Sequence, residues 1–463
     1  MKRYVVSAQR VLLFIMMVFL AAMVIGCTPQ SDDSSADSGQ SDEEVSDKNW
    51  EGQKVRVQMI GDFKEESSTD PITGENAEGV EKLAEEFERL HPGAEVEFIL
   101  MPWEGYTEKT QAMLTSGEAD VYQMPGIADF APQGVLEPLQ PFIDEDDEMD
   151  LDKFIDNQVE GWKALGPDSD ELQIYGLPFL GDARFITYDK QLFDEWGVEY
   201  LSEYPTMDEI AEKAEQMTGT NPETGEQNYG IWYRGDWSSA FTLVNLAEGQ
   251  NGAWGEGFAW EEVEFDFDST EMNNGLEWLM DMQEFAPKGL VSNQGNEKWL
   301  TEDNNIAIML NQGPGDTVKP SHANGVGDRI GIAQEFKNDE GVGGLFAGSP
   351  LAIAEASENK ELAWEWIKFA TNDYAQEFVF SENGAIPSIK SAEEFESIEE
   401  YEELMEPVFE AMSTPSTPRY PWGSSQPRYI LTSEIESTLT GDRSPEDALE
   451  KAQKESTDWV EGR

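Results

Sequence analysis

Apolar and polar residues follow a regular pattern from about residue 54 onward, and this pattern predicts alternating strands and helices. Residues 54–59 (KVRVQM) alternate in polarity, as a strand with one covered face does, and 94–100 (AEVEFIL) form a second predicted strand. Between them, residues 79–90 (GVEKLAEEFERL) repeat their apolar positions at helical spacing. A helix over 106–116 and a short strand over 119–123 follow. This β-α-β-α-β order is typical of a mostly parallel sheet.

The same alternation of predicted strands and helices continues through the rest of the chain. The extended segments are 174–178, 183–188 and 305–310, and the helices are 207–217, 273–285, 358–371 and 445–453. No repeat of fixed period is visible. The sequence therefore predicts an α/β fold built as two lobes.

A 15-residue apolar run occupies positions 11–25, behind a short basic segment that contains Lys2, Arg3 and Arg10. A membrane-spanning helix needs about 20 apolar residues, so this run is short for a span and suits the hydrophobic region of a secretory signal. We therefore predict a signal peptide over residues 1–26. An N-terminal membrane anchor that stays attached is the alternative.

The tetrapeptide Val24-Ile25-Gly26-Cys27 follows this run and contains the only cysteine of the chain. It resembles the bacterial lipobox, in which small and aliphatic residues precede a cysteine that is lipidated and becomes the new N-terminus. The resemblance predicts a lipoprotein anchored through Cys27. Residues 27–50 are acidic and nearly free of large aliphatic side chains, so they cannot bury enough apolar surface to fold. We predict a disordered acidic tether there.

The chain is strongly acidic, with 95 Asp and Glu residues against 30 Lys and Arg residues and a formal net charge of −65. Nucleic-acid binding requires clustered basic residues, so this balance argues against a nucleic-acid partner. It also argues against a protein that lies on an anionic membrane through a basic face. With 39% hydrophobic and 11% aromatic residues, the chain can still build a packed core. A dense carboxylate surface suits salty or alkaline surroundings, which predicts a halophilic or alkaliphilic source.

Familiar catalytic and metal-binding motifs are absent from the sequence. It contains no G-x-S-x-G, P-loop, G-x-G-x-x-G or H-E-x-x-H pattern and only two histidines. An EF-hand loop beginning at Asp144 would have Met149 where glycine is required and Ile155 where glutamate is required. The acidic segment 144–152 is therefore interpreted as a solvated loop. We predict a protein without catalytic activity, metal or cofactor.

Several tryptophans lie beside glycine or proline, or in polar stretches, rather than at helical spacing. They are Trp103, Trp232, Trp237, Trp254 and Trp422. Sugars bind by stacking their C–H faces on aromatic rings while carboxylates, amides and arginines hold the hydroxyl groups. Aromatic residues in loops therefore indicate a carbohydrate site, whereas Trp364 and Trp366 lie in a helical pattern and are expected to pack in a core.

Several short motifs occur together in a fixed order along the chain. They are residues 114–121 (LTSGEADV), 134–139 (GVLEPL), 174–178 (IYGLP) followed by 187–193 (TYDKQLF), and 384–387 (GAIP). In this order the chain resembles the extracellular solute-binding proteins of ABC transporters, family 1, which includes maltose-binding protein. The resemblance extends from about residue 55 to residue 460. Asp189 departs from it, because the family usually has asparagine at this position.

This resemblance implies a type II periplasmic-binding-protein-like fold, in which two α/β lobes are joined by crossover strands and bind a ligand in the cleft. It places lobe one at 51–165 plus 311–375, and lobe two at 166–310 plus 376–460. It implies a monomeric, lipid-anchored subunit of an ABC importer that captures an oligosaccharide or polyol. The subunit would deliver this ligand to the permease transmembrane subunits. The implied location is the extracellular face of the cytoplasmic membrane, or the periplasm where an outer membrane exists.

The resemblance also implies a set of ligand-binding residues in the loops that face the cleft. In the first half of the chain they are Asp62, Phe63, Trp103, Met124, Asp129 and Asp182, and in the second half they are Trp232, Trp237, Trp254, Asn311, Gly313, Gly344, Arg419, Trp422 and Arg428. The family often has tryptophan shortly after the Gly313-Pro314 pair, whereas Gly315 and Asp316 follow here. The floor of the pocket is therefore expected to differ.

Three other functions remain open from the sequence. A polyamine-binding protein of the same fold would also use carboxylates and tryptophans, and an anionic ligand would require arginines 184, 234, 419 and 428 to converge. A secreted carbohydrate-active enzyme, either a glycoside hydrolase or a lyase, would place two carboxylates about 5–10 Å apart in the cleft. A surface adhesin would present a flat binding face instead of a cleft.

Overall fold

The computed structural model describes most of the chain beyond the predicted tether. The described residues are 45–46, 48–69, 76–124, 126–167, 169–236, 238–257, 260, 262–344, 347–415 and 422–462. They belong to a compact unit that comprises Ser41–Arg463. The predicted signal peptide, Cys27 and most of the tether lie outside the described residues, as do Trp237 and Arg419. Among the described helices, none has the length and apolar character needed to cross a bilayer.

Eighteen strands occur within the described residues. They are β1 (Gln53–Ile60), β2 (Ser68–Thr69), β3 (Asn76–Ala77), β4 (Ala94–Met101), β5 (Val121–Gln123), β6 (Leu136–Glu137), β7 (Lys163–Leu165), β8 (Leu172–Ile174), β9 (Leu177–Asp182), β10 (Phe185–Asp189), β11 (Gly219–Thr220), β12 (Gln227–Trp232), β13 (Gly255–Glu256), β14 (Glu264–Phe265), β15 (Ile306–Gln312), β16 (Ile330–Gln334), β17 (Ala347–Ala354) and β18 (Ile386–Pro387).

Thirteen α-helices occur in the same described part of the chain. They are α1 (Glu81–Leu90), α2 (Tyr106–Ser116), α3 (Gln140–Glu145), α4 (Lys190–Trp196), α5 (Met207–Gln216), α6 (Ser239–Glu248), α7 (Thr270–Met282), α8 (Pro314–Ala323), α9 (Lys360–Ala370), α10 (Asp373–Asn383), α11 (Glu402–Ser413), α12 (Gln426–Leu439) and α13 (Pro445–Glu461).

The predicted β-α-β-α-β unit is present as β1, α1, β4, α2 and β5. Leu83, Phe87 and Leu90 are buried on one face of α1, which is the face that the apolar spacing predicts. Helix α2 ends at Gly117, whose φ of 68° is the left-handed conformation that glycine adopts most readily at a helix end. Local pattern and end signals therefore place these elements to within a few residues.

The larger sheet contains β1, β4, β5, β6, β9, β17 and β18 among the described strands. Its order is β18-β9-β17-β5-β1-β4, with β6 paired to β17. Strand β1 runs parallel to β4 and β5. Strand β17 runs antiparallel to β5, β6 and β9, and β9 is also antiparallel to β18. The sheets are therefore mixed and not mostly parallel as expected, because β17 and β18, which follow the strands of the smaller sheet in the chain, run opposite to β5 and β9.

The smaller sheet has the order β11-β12-β15-β10-β16 in the described part. Strands β12 and β15 are parallel, whereas β10 is antiparallel to both β15 and β16. The chain passes from the larger to the smaller sheet between Asp182 and Phe185, and it returns after Gln312. A second return lies between Gln334 and Ala347. Residues at these crossings lie between the two sheets.

Each sheet has its own apolar core. The core of the larger sheet includes Phe87, Trp364 and Trp366, which confirms that these tryptophans pack internally. The core of the smaller sheet includes Phe267 and Leu276. Two α/β lobes are therefore present, and the mixed α/β fold class is confirmed. The residue ranges of the lobes stay a prediction. Strands β9 and β18 lie in the range predicted for lobe two but pair in the larger sheet, and β16 lies in the range predicted for lobe one but pairs in the smaller sheet.

Candidate ligand-binding cleft

A cleft of about 1000 Å³ lies between the two sheets. The larger sheet contributes the ends of β1 and β9, together with Ser349 of β17. The lobe of the smaller sheet contributes Arg234, which follows β12, and Arg428 in the first turn of α12. The cleft therefore draws its walls from both lobes, at the crossings between them.

Asp182 and Arg184 form an ion pair at the first crossing between the lobes. Arg184 Nη1 donates to Asp182 Oδ1 at 2.5 Å and to the carbonyl oxygen of Ala183 at 2.8 Å. The backbone N–H of Ala183 also donates to Asp182 Oδ1 at 2.9 Å. Burial raises the pKa of Asp182, and its contacts with Arg184 only partly offset that effect. The pair therefore fixes an acceptor and a donor together at the base of the cleft.

Gly313 allows this pair to approach the second crossing. A Cβ atom at Gly313 would lie 2.6 Å from Arg184 Nη1 and 3.5 Å from Asp182 Oδ1. The backbone of Gly313 is extended, with φ of −110°, so the requirement is for space and not for a left-handed conformation. Any larger residue here would displace the guanidinium group of Arg184.

A second ion pair joins the two lobes beside the first. Arg234 Nη2 lies 3.3 Å from Asp316 Oδ2, in the first turn of α8. The side chain of Asp316 is 72% exposed, so this pair contributes little to stability. Its position in the cleft wall makes both groups available to a ligand.

Aromatic side chains also line the cleft. Trp103 and Tyr106 meet edge to face, with ring centroids 5.4 Å apart. Phe63 also lines the cleft, and Arg428 lies 4.6 Å above the ring of its neighbour Tyr429. Trp103 is 48% exposed and Tyr429 is 51% exposed, which is unusual for large aromatic residues. They present open ring faces on which a sugar can stack.

The charge of the cleft differs from the charge of the whole chain. Its described lining contains four acids (Asp62, Glu108, Asp182 and Asp316), three arginines (Arg184, Arg234 and Arg428) and no lysine. The whole chain has 95 acidic residues against 30 basic ones. A nearly neutral wall with donors, acceptors and ring faces is suited to a neutral polyhydroxyl ligand.

Six of the residues singled out from the sequence lie together in this cleft: Asp62, Phe63, Trp103, Asp182, Gly313 and Arg428. The sequence considers Arg184, Arg234 and Arg428 together only for an anionic ligand. The structure brings all three into the cleft, with Arg184 and Arg234 each paired to an aspartate. Gly315 and Asp316 lie in the cleft wall, where the sequence predicts an altered pocket floor. Tyr106 and Tyr429 are missed by sequence reasoning, because their local sequence carries no signal and neighbours from distant segments make them part of the cleft.

Three of the tryptophans expected in the site lie in the core of the smaller sheet instead. Trp232, Trp254 and Trp422 are almost completely buried. The indole N–H of Trp232 donates to the carbonyl oxygen of Gln294 at 3.1 Å, and the rings of Trp254 and Trp422 are 5.7 Å apart. Their glycine-rich surroundings indicate loops correctly but do not reveal that these loops fold inward.

Two other expected site residues are enclosed by their own lobe. Met124 is fully buried. Asn311 has φ of 54°, and its side-chain amide donates to Thr242 Oγ1 at 2.9 Å and to the carbonyl oxygen of Ser238 at 3.2 Å. Both residues support the backbone next to the cleft and do not line it.

The last two expected residues lie near the cleft without lining it. Gly344 borders a separate small cavity of about 10 Å³ behind the Asp182–Arg184 pair. Asp129 lies in the loop after β5, and its carboxylate accepts hydrogen bonds from Trp260 and Ser425. The Asp129 carboxylate is therefore bound by Trp260 and Ser425 and does not line the cleft, although the sequence predicts it as a ligand-binding acid.

The acidic segment 144–152 is partly built into the fold. Asp146 accepts a hydrogen bond from the Trp364 indole at 2.8 Å and pairs with Lys368 at 2.9 Å. Across the described residues, no group of three or more His, Cys, Asp and Glu side chains is arranged to hold a metal ion. The side chain of Asp146 therefore acts as a structural acceptor.

Two α/β lobes with crossing strands and a cleft between them define a two-lobed solute-binding protein. Residues 73–377 match the family of bacterial extracellular solute-binding proteins, and the chain belongs to that family. This confirms the family resemblance seen in the sequence. Members of this family bind solutes and are not enzymes, and membership implies a location outside the cytoplasm.

The chain is similar to several characterised proteins of this kind. It is 24% identical to the mannitol-binding protein of Pseudomonas aeruginosa over 315 residues, which cover 66% of this chain and 68% of that protein. The sugar-binding protein MalE from Xanthomonas citri has a TM-score of 0.72 at 20% identity, over 89% of this chain and 98% of that one. An ABC transporter solute-binding protein from Agrobacterium vitis S4 with bound D-mannitol has a TM-score of 0.65 at 20% identity, over 89% and 99%. The structural likenesses confirm the fold.

Proposed function

We propose that this protein is the substrate-binding subunit of an ABC importer and captures a sugar or polyol in the cleft between its lobes. The observation that carries the proposal is the Asp182–Arg184 pair, held at the crossing between lobes and facing the cleft that Trp103 and Tyr429 also line. The pair offers hydroxyl groups both an acceptor and a donor. The rings offer a stacking surface for C–H groups.

The charge of the cleft favours a neutral ligand over a polyamine. A polyamine needs carboxylates that are not already neutralised, but two of the four that line the cleft, Asp182 and Asp316, are paired with arginine, and a third arginine, Arg428, lines the cleft as well. Arginine supplies a planar set of N–H donors, which suits an array of hydroxyl oxygens. Sugars and polyols satisfy both kinds of group at once.

The volume of the cleft bears on the size of the ligand. Pockets of roughly 300–1,000 Å³ enclose drug-sized molecules, and this cleft has about 1000 Å³. Contacts already join the lobes across it, including the Arg234–Asp316 pair. A single polyol would leave much of this space to water, so the volume favours an oligosaccharide. The similarity to mannitol-binding proteins favours a polyol.

Binding measurements on the full-length protein would separate these ligands. Thermal-shift screening and calorimetry would compare D-mannitol, ribitol, maltose, maltotriose and spermidine, with chromatography of each mixture for new products. A ligand at 100 times its Kd is expected to add about 2.7 kcal/mol of stability. Binding of a saccharide or polyol without product supports the proposal. A response to spermidine alone would replace the ligand class, and product formation would indicate an enzyme.

The Arg184→Ala variant tests whether the cleft is the site. It removes the donor from the Asp182–Arg184 pair, and we expect the measured affinity to fall at least about tenfold. Arg443→Ala is the matched control, because Arg443 pairs with Glu434 in α12 and does not line the cleft. Equal effects of the two changes would place the ligand elsewhere.

We further propose that lipidated Cys27 and the tether over 27–50 hold the folded part at the outer face of the membrane, where it meets the permease as a monomer. The tetrapeptide ending at Cys27 and the acidic composition of the tether support this proposal. The Cys27→Ser protein should move from the detergent phase to the aqueous phase in a Triton X-114 partition. Ser31→Ala should stay in the detergent phase. Detergent partition of both proteins would exclude a lipid on Cys27.

The surface acidity is proposed to reflect adaptation to salt or alkali. Repulsion among carboxylates destabilises a compact state of high negative charge, and salt screens this repulsion. The unfolding temperature should therefore rise steadily between low and molar concentrations of NaCl. A salt-independent unfolding temperature would contradict this proposal.

A further inference from the structure

Each oxygen of the Asp129 carboxylate accepts a hydrogen bond from a different residue. The indole N–H of Trp260 donates to Asp129 Oδ1 at 2.9 Å. The hydroxyl group of Ser425 donates to Asp129 Oδ2 at 2.6 Å. Hydrogen bonds to an ionised carboxylate are stronger than those between neutral groups. Both bonds involve residues that are far from Asp129 in the sequence.

The two partners belong to the lobe opposite that of Asp129. Asp129 lies between Ile127 and Phe130, which are buried in a cluster under the larger sheet. Trp260 packs edge to face on Trp459 of α13, with ring centroids 4.8 Å apart. Ser425 directly precedes α12, whose apolar residues belong to the core of the smaller sheet. The carboxylate therefore connects the lobes directly.

We propose that Asp129, Trp260 and Ser425 form a latch that holds the lobes closed, and that Asp129 is a positioning residue and not a ligand contact. The latch lies at the border of the cleft, because Gly126 and Gly423 line the cleft and are close to Asp129 and Ser425 in the chain. This inference rests on the proposed function only for its effect on ligand affinity.

The latch changes the equilibrium between open and closed forms. Its two bonds exist only when the lobes meet, so they stabilise the closed form without touching the ligand. Loss of the latch lowers the closed fraction, and the apparent affinity falls with the binding-competent fraction. Within one binding site, such changes are seen mainly in the rate of ligand release.

A distance measurement tests the latch without any ligand. Spin labels at Glu95→Cys in β4 and Glu215→Cys in α5 would report the separation of the lobes in the full-length chain, with Cys27→Ser so that only the introduced thiols react. We expect Asp129→Ala to shift the distance distribution toward longer separations. Asp147→Asn, an exposed aspartate of the same lobe, is the matched control and should leave the distribution unchanged.

A binding measurement tests the consequence for affinity. Trp260→Phe removes the indole donor but keeps a ring against Trp459, and Ser425→Ala removes the hydroxyl donor. Each change is expected to raise Kd and the release rate about tenfold, which corresponds to about 1.4 kcal/mol. Ser433→Ala, at an exposed position of α12, is the control and should match the wild type.

The outcomes separate the latch from the proposed function. If Asp129→Ala keeps the wild-type distance distribution, the latch is wrong, whatever the ligand. If the distribution shifts but no carbohydrate binds the wild-type protein, the latch stands and the proposed function fails. If affinity falls about tenfold in Asp129→Ala while the distance distribution stays that of the wild type, Asp129 contacts the ligand and the latch is again wrong.

Discussion

Arg184 Nη1 donates a hydrogen bond to Asp182 Oδ1 at 2.5 Å, at the point where the chain crosses from one sheet to the other. Asp182 ends the last strand of the larger sheet before the crossing, and Arg184 precedes the first strand of the smaller one. The two charges face the cleft because their flanking strands leave in different directions. The crossing segment therefore places two polar groups in the cleft wall.

Asp182→Asn should weaken ligand binding, and its stability relative to the wild type should increase as pH rises. Burial raises the pKa of Asp182, so its ionised form carries an energetic cost in the folded protein. The stability associated with its protonated form is present below the ordinary carboxyl pKa of about 4 and is lost as pH rises through the raised pKa. Asparagine does not ionise and removes this loss.

The measurement for Asp182→Asn is its unfolding temperature relative to the wild type between pH 4 and 8. The difference should grow in favour of the variant as pH rises. Asp147→Asn, an exposed substitution, should show a constant difference. If the unfolding temperature of the wild type instead rose relative to that of Asp182→Asn as pH increases, the pKa of Asp182 would be lowered in the folded protein and not raised.

Gly313→Ala should reduce ligand affinity, whereas Gly462→Ala, outside the cleft, should not. A Cβ atom at Gly313 would lie 2.6 Å from Arg184 Nη1 and must displace it, while a Cβ atom at Gly462 would make only ordinary contacts, the shortest at 3.4 Å. We expect a rise in Kd of about tenfold for Gly313→Ala. Calorimetry with the ligand found by screening gives both values, and equal Kd values would show that the position of Arg184 does not matter.

Trp103→Ala and Tyr429→Ala should weaken binding without lowering the unfolding temperature. Both rings are about half exposed, so their removal costs little core packing. Loss of one stacking ring is expected to cost about 1 kcal/mol of binding free energy, a five- to tenfold rise in Kd. Tyr200→Ala is a suitable control, since Tyr200 is 42% exposed and does not line the cleft. An equal loss for Tyr200→Ala would indicate a general effect.

Trp422→Ala should destabilise the protein by about 3–5 kcal/mol, because it empties a large volume in a packed core. Trp422 is fully buried against Phe241, Trp254 and Phe267. Urea unfolding measures the loss, and Trp422→Phe should recover part of it. A fully stable Trp422→Ala with reduced binding would instead support the ligand-binding role that the sequence suggested.

Glu365→Gln should reduce the loss of stability on acidification. Burial raises the pKa of Glu365, but its contacts with His91 and Lys368 outweigh this effect and lower the pKa to about 2. The lowered pKa contributes stability above about pH 4.5, and this contribution is lost as pH falls toward 2. A shift of this size corresponds to roughly 3 kcal/mol.

Urea unfolding at pH 3 and pH 7 gives the free energies of unfolding for this comparison. The wild type should lose more stability between the two pH values than Glu365→Gln does. Glu361→Gln changes an exposed glutamate on the same helix and should behave like the wild type. An identical pH dependence of the free energy of unfolding in all three proteins would show that Glu365 does not contribute to stability against acid.

Apolar periodicity and motif order were enough to predict most of the elements of this protein and its family. Apolar spacing of 3.6 and 2 residues fixed α1 and β1 to within two residues of their observed ends, because each element buries one face locally. Motif order along the chain indicated a two-lobed binding protein, and the match to residues 73–377 confirms the family. Asp182 and Gly313 were also found this way, since they lie at crossings that the motifs mark.

Which loop residues face the cleft depends on packing between distant parts of the chain. Trp103 and Trp422 both lie beside Pro or Gly in loops, yet Trp103 is half exposed at the cleft and Trp422 is enclosed by α6, α12 and neighbouring rings. Asp129 likewise meets Trp260 and Ser425 only because two lobes approach each other. Local composition reports the polarity of a segment, whereas the direction of a side chain depends on surfaces contributed by residues hundreds of positions away.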